Sequence, residues 1–230
     1  MPAGIYGAQS KRTLVRDPRA TPEFTASIAK RMQAPGPTDA LLVVDVQNDF
    51  LPGGALGIHG GDAIVEPLNR VLAAWRSRGL PVFLTRDWHP PGHCSFAAQG
   101  GPWPVHCVAG TPGAAFAPGL DVTPGDVVIS KATRRDKDAY SALDGTPLPD
   151  ALRKCGTTRL FVGGLATDYC VRATGLDARA AGLDVVVLSD AVCAVNVRPG
   201  DGERALRELA AAGCRAATTG EVLRASGAVT

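Results

Sequence analysis

Cys170 is the residue with the most chemical potential in this chain. It ends the stretch Gly163-Gly-Leu-Ala-Thr-Asp-Tyr-Cys170, directly after the apolar run at 159–162. A cysteine so placed can be a packing residue, a metal ligand or a nucleophile. A helix beginning near Asp168, with Asp168 as its N-cap, would put the thiol in the first turn. There the backbone N–H groups and the helix dipole favour a thiolate. Gly163 and Gly164 would allow the tight turn before it. A cysteine nucleophile also needs a base or a charge partner. Asp45 interrupts the end of an apolar run, where an unpartnered carboxylate is costly, and its plainer role is a capping or ion-paired group. Lys131 follows Ile129-Ser130, where a solvated loop lysine is the commoner case. Close to Asp45 and Cys170, it would stabilise both anions.

A second cluster could hold a metal. The stretches 86–96 and 101–107 contain three of the four histidines. Asp87 and His89 point the same way if their segment is extended. His106 would return from the same connection, with His93 as a further member. One carboxylate and two or three imidazoles suit Zn²⁺, Fe²⁺ or Mn²⁺ with positions open to water or substrate. Histidines that only hydrogen-bond within a loop are the alternative. Cys94 and Cys107 read as packing residues. Aromatic residues make up only 5% of the chain, so Phe50, Trp103 and Tyr140 near the same loops suggest a flat pocket for a ring. Anchoring the loops is the plainer role for each.

These residues must be positioned by alternating strands and helices. Strands are expected at 40–45, 81–85, 127–130, 159–162, 183–188 and 215–218. Helices are expected at 62–77, 149–154, 168–181 and 200–212. The helix at 62–77 has Asp62 as candidate N-cap and Gly79 as its stop, with Ile64, Leu68, Val71, Leu72 and Trp75 on one face. Such alternation with short links gives an α/β class, a three-layer α/β/α arrangement around a mainly parallel six-stranded sheet. Residues 87–126 form a long irregular connection of the kind that is usually functional. Ligands of such sheets bind beyond the carboxyl ends of the strands. Asp45, Asp87, Lys131 and Cys170 all follow strand ends, so they are expected at one edge.

Residues 1–39 read as an extension, poorly ordered or loosely docked, and 40–230 as one domain. Within the extension, 21–32 could form a short helix capped by Thr21. The segment is basic but lacks the arginine face of an organelle-targeting peptide. The charge balance, 24 basic against 22 acidic residues for a net +2, argues against a nucleic-acid surface. No apolar run is long enough for a membrane span. Six cysteines without a CxxC pair, and no hydrophobic signal at the start, point to free thiols in the cytoplasm.

Five stretches together resemble one family. They are VVDVQNDFLPGGAL (43–56), TRDWHPPGHCSF (85–96), WPVHCVAGTPGA (103–114), KATRRDKDAYSALDGT (131–146) and VGGLATDYCVRAT (162–174). In this order they resemble the nicotinamidase/pyrazinamidase group of the isochorismatase-like cysteine hydrolases, over roughly 40–220. The resemblance implies a catalytic triad of Asp45, Lys131 and Cys170. It implies one divalent ion, zinc first with iron or manganese as alternatives, on Asp87, His89 and His106, with His93 a ligand or a supporting group. It implies a cis peptide between Leu165 and Ala166 that aims the N–H groups of Ala166 and Cys170 at an oxyanion. The implied substrate is nicotinamide, held by Phe50, Trp103 and Tyr140 and hydrolysed to nicotinate and ammonia through a thioester. Pyrazinamide is a second expected substrate, and salvage of NAD the implied setting. A homo-oligomer is the expected assembly, with no nucleic-acid or membrane partner. Ala132 and Leu143 stand where relatives often carry glycine and phenylalanine, which bears on substrate preference. The rival readings are a related amidase for carbamoyl or ureido substrates, a non-catalytic binding protein, and a zinc hydrolase that attacks with metal-bound water.

Overall fold

The computed structural model describes residues 32–227. Six strands form one sheet: β1 (Asp39–Val44), β2 (Val82–Asp87), β3 (Val127–Lys131), β4 (Arg159–Leu165), β5 (Asp184–Cys193) and β6 (Arg215–Ala217). Their order is β3-β2-β1-β4-β5-β6, and every pairing is parallel. The helices are α1 (Val65–Ser77), α2 (Leu148–Lys154), α3 (Arg172–Ala180), α4 (Asp201–Ala211) and α5 (Thr219–Ala225).

Alternation along β1 shows why the sheet needs two helical layers. Leu41 and Val43 pack into one core with Leu68 and Leu72 of α1 and Val222 of α5. Ala40, Leu42 and Val44 pack into the other with Leu152, Ala178 and Leu209 of α2, α3 and α4. A strand covered on both faces reads as a continuous apolar run, as β1 does. The strand order reverses between β1 and β4, so a crevice opens beyond their carboxyl ends.

Several boundaries differ from the sequence reading, each for a physical reason. Asp62 does not cap α1; residues 61–64 form a separate 3-10 turn that enters the helix. β4 continues through Gly163 and Gly164 because Val43 and Val44 of β1 pair with them. β5 runs past Leu188 to Cys193, carrying Asp190, whose carboxylate accepts from the backbone N and hydroxyl of Thr219. Helix α5 was not foreseen, although Thr218 and Glu221 form a capping box, a pattern legible in sequence. The expected helix at 21–32 lies almost wholly outside the described residues. Those just before β1 are docked: Arg159 bonds Ala34 O and forms a two-pronged pair with Asp39, and Arg78 bonds Pro35 O. No helix among the described residues is long and apolar enough to cross a membrane. Cys94, Cys107, Cys155, Cys170 and Cys214 are free thiols.

Candidate active site

Asp45 follows the last residue of β1, and Lys131 ends β3. Lys131 is only 1% exposed, so the solvated-lysine alternative is excluded. Its Nζ lies 3.0 Å from Asp45 Oδ2, 3.4 Å from Cys170 Sγ and 3.2 Å from Ala139 O, and it also donates to Asp87 Oδ1. A carboxylate oxygen of Asp45, one of Asp87 and the Cys170 sulfur lie within 4.8 Å of one another. Asp45 Oδ1 accepts from the Thr85 hydroxyl at 2.8 Å, whereas Oδ2 has no aligned hydrogen bond. Oδ2 can therefore take a proton.

Cys170 does not sit in the first turn of a regular α-helix. Residues Thr167–Val171 form a π turn that leads into α3, a local widening often found at functional positions. The Leu165–Ala166 peptide is cis. Ala166 O accepts from Tyr169 N and Val171 N, both at 3.1 Å, which folds the segment back under the sulfur. Asp168 is not an N-cap. Its buried carboxylate accepts from Val195 N at 2.9 Å and Asn196 N at 2.8 Å, tying the β5–α4 link to the nucleophile turn.

Beside this group stand Asp87, His89 and His106, with one potential ligand atom each inside 4.8 Å. His89 Nε2 is 3.2 Å from His106 Nε2 and 3.6 Å from Asp87 Oδ2. Two donors about 2 Å from one tetrahedral ion stand roughly 3.3 Å apart, so the spacing fits a metal. The outward nitrogens are committed to carbonyls: His89 Nδ1 to Ala132 O at 3.3 Å and His106 Nδ1 to Pro104 O at 2.8 Å. Such bonds fix the tautomer that leaves Nε2 free to ligate. Backbone bonds join the two histidine segments, His89 N to Cys107 O and Ala109 N to His89 O.

His93 stacks on His89 with ring centroids 4.2 Å apart. Its Nδ1 faces Ser95 Oγ at 2.8 Å and its Nε2 faces Lys137 O at 3.2 Å. Both ring nitrogens thus have protein partners, and the donor group among the described residues is Asp87, His89 and His106. Two residues without an assigned part in the sequence reading brace the cluster. Gln47 accepts from Asp87 N and donates to Asp87 O and Ala114 O. Asp49 accepts from Cys107 N at 2.7 Å, next to His106.

A slot of about 40 Å³ opens onto Cys170. Phe50, Trp103 and Tyr140 line it, together with Tyr169, Leu56 and Val195. The Trp103 indole N–H donates to Tyr140 OH at 3.0 Å, and both rings lean on Tyr169. Tyr169 was the overlooked wall. Its position before Cys170 was the available signal. Wider hollows of about 660 and 750 Å³ lie elsewhere, away from Cys170, Lys131 and the histidines.

Residues 39–221 match the isochorismatase domain family. The chain belongs to the isochorismatase family. It is 40% identical over 198 residues to the nicotinamidase of Escherichia coli, an alignment covering 77% of this chain and 93% of that protein. A crystal structure of the pyrazinamidase of Pyrococcus horikoshii in complex with zinc matches with a TM-score of 0.76 at 47% identity, covering 79% of this chain and 99% of that one. A structure of PnC1 from L. infantum in complex with nicotinate matches with a TM-score of 0.77 at 38% identity, covering 83% and 97%.

In this isochorismatase-family site, burial and charge separate the ionisation states. Burial pushes the Asp45 carboxyl up, Lys131 pulls it down and Asp87 pushes it up again, leaving it near 6. Burial also raises Asp87, but Lys131 and His89 outweigh it and hold that carboxyl below its usual range. Burial lowers Lys131, yet Asp45, Asp87 and Cys170 together keep it well above its ordinary value. The Cys170 thiol is pushed far up, by burial first and by both carboxylates, against the pull of Lys131. These surroundings oppose the thiolate that a helix dipole would favour, and the π turn at 167–171 replaces a regular first helical turn. A thiol so disfavoured from ionising calls for a base, and two carboxylates with separated pKa values mark such a division of roles. Burial likewise favours the neutral ring of His106, the form that ligates a metal.

Proposed function

We propose that this chain is a metal-assisted cysteine amidohydrolase that converts nicotinamide to nicotinate and ammonia. The observation that carries the proposal is the meeting of Cys170 Sγ, which lines an aromatic slot, with the buried Asp45 carboxylate and Lys131 Nζ, beside three candidate metal donors. The relatives described above support the choice of a pyridine carboxamide.

In this reading Asp45 takes the thiol proton as Cys170 attacks the amide carbon. Lys131 holds the charge of the thiolate and of Asp45 in place. The N–H groups of Ala166 and Cys170 face the developing oxyanion. Asp45 passes its proton to the departing ammonia and then activates the water that cleaves the thioester. Asp87, His89 and His106 would hold the ion, with zinc as the proposed metal and iron or manganese as alternatives. The ion supplies a Lewis acid that orients the ring nitrogen. Phe50, Trp103 and Tyr140 with Tyr169 sandwich the ring. Pyrazinamide, which differs from nicotinamide by one ring atom, is the second proposed substrate. The proposal extends to a cytoplasmic homo-oligomer serving NAD salvage, with residues 1–39 as an appended segment and no nucleic-acid or membrane partner.

The test is ammonia release by wild type and Cys170→Ala over nicotinamide, pyrazinamide and a ureido amide. Nicotinamide should be turned over, with a loss of roughly 10⁴-fold or more in the variant. Mass spectrometry of quenched wild type should show a nicotinoyl adduct on Cys170. Full activity of the variant sinks the assignment, and turnover without an adduct favours metal-bound water.

A further inference from the structure

Thr85 lies within β2, and its side chain bonds Asp45. It is fully buried. Its hydroxyl donates to Asp45 Oδ1 at 2.8 Å, and its carbonyl accepts from Asp45 N at 3.2 Å. One residue therefore grips Asp45 by side chain and backbone together. Asp45 needs such a grip, because its φ of 49° lies in a region that non-glycine residues hold only when their surroundings impose it.

The grip also selects a carboxylate orientation. The terminal torsion of aspartate is broad and two-fold, so the side chain alone does not distinguish its oxygens. Here Thr85 occupies Oδ1. Oδ2 is left beside Lys131 Nζ at 3.0 Å without an aligned hydrogen bond, and the same Nζ lies 3.4 Å from the Cys170 sulfur. We propose that Thr85 is a positioning residue for the hydrolysis, fixing the Asp45 carboxylate so that Oδ2 receives the Cys170 proton. The inference rests on the reading of Asp45 as the base. It assigns to Thr85 no contact with substrate or metal.

Three variants test it: Thr85→Val, which keeps the shape and removes the hydroxyl, Thr85→Ser, which keeps the hydroxyl, and Asp45→Asn. In Thr85→Val, kcat for nicotinamide should fall about 10- to 100-fold, within the range that general-base catalysis supplies. KM and metal bound per chain should stay within about twofold, because uniform binding is untouched. Thr85→Ser should recover kcat to within roughly threefold. If Thr85→Val does not fold, Thr85→Ala against Thr85→Ser repeats the comparison, since that pair differs only by the hydroxyl. Wild-type kcat in Thr85→Val, equal impairment of the Ser and hydroxyl-free variants, or a loss confined to KM or metal content each overturns the proposal. An active Asp45→Asn would instead sink the base assignment itself. An inactive Asp45→Asn beside a fully active Thr85→Val removes only the role given to Thr85.

Discussion

Asp87 and Lys131 stand directly opposite each other in the β2–β3 ladder, and their side chains join at Oδ1 and Nζ. The other oxygen of Asp87 faces His89. One carboxylate thus belongs both to the charge network of the nucleophile and to the metal-donor set. Lys131 in turn is the cation shared by two buried carboxylates and a thiol.

Replacing that cation should therefore harm both folding and chemistry. Lys131→Met leaves Asp45 and Asp87 buried without a counter-charge. Breaking a buried pair in this way typically costs about 3–5 kcal/mol. Denaturant unfolding should register the loss, and ammonia release should fall by roughly 100-fold or more. Lys131→Arg should not rescue activity, because a planar guanidinium cannot reproduce a point charge shared by Asp45, Asp87 and Cys170. Near-wild-type turnover in either variant would contradict the charge network.

The elevated Asp45 carboxyl predicts opposite pH trends for activity and stability. As a base it must be ionised, so kcat/KM should be half-maximal near pH 6 and fall about tenfold per unit further into acid. Between the ordinary carboxylate value of 3.8 and about 6, the native carboxyl keeps a proton that the unfolded chain has released. Its contribution to stability therefore declines as pH rises through that window. The depressed Asp87 acts in the opposite sense and below that window, losing its contribution as pH falls. Urea unfolding of wild type and Asp45→Asn at pH 4 and pH 6.5 checks the sign. The variant should lack the decline.

The metal assignment separates His89 from His93. Adding zinc to chelated protein should raise Tm, because an ion that binds only the folded state stabilises it by mass action. His89→Ala should lose that shift, bind substoichiometric metal and show KM for nicotinamide raised about tenfold or more. His93→Ala should retain one ion per chain by elemental analysis, since its ring nitrogens face Ser95 and Lys137. Loss of the ion in His93→Ala would make it a ligand after all.

Gly164 should tolerate no side chain. A Cβ there would stand 2.1 Å from Val44 O at a φ of +119°, forcing β4 away from β1 beside Asp45. Gly164→Ala should cost upwards of about 4 kcal/mol, a Tm loss of roughly 10 °C or more. Gly156→Ala is the control. It has φ +63° with nothing within 4 Å, so only the left-handed penalty of about 1–2 kcal/mol applies. Equal Tm losses in the two would show that β1 and β4 are not in close contact at Gly164.

Much of the architecture was legible because buried parallel strands announce themselves as apolar runs. The strands ending near Asp45, Asp87 and Lys131 were found in this way. The rule that ligands gather beyond strand ends then placed those side chains at one edge. What local patterns missed depended on neighbours. Gly163-Gly164 looked like a turn, yet pairing with β1 extends the strand through both. Asp168 looked like a cap, yet its carboxylate reaches Val195 and Asn196. Thr85, Gln47 and Asp49 looked like ordinary strand or loop residues, because a residue that holds another's backbone carries no periodicity of its own.

The amino-acid order alone carries the succession of strands and helices up to β6, the chemical types that reach the crevice and the family to which they belong. Alternating burial and ordered motifs are local properties, readable along the chain. Only the tertiary structure decided the charge state of those groups. Whether Cys170 rests as thiol or thiolate depends on burial and on Lys131, Asp45 and Asp87, which come from three separate strand ends. The fold likewise brings His89 and His106 together with Asp87, while the His93 nitrogens meet Ser95 and Lys137. Convergence depends on which carbonyls claim the remaining ring nitrogens: Ala132 and Lys137 reach His89 and His93 from a segment distant in sequence, whereas Pro104 reaches His106 from two residues away.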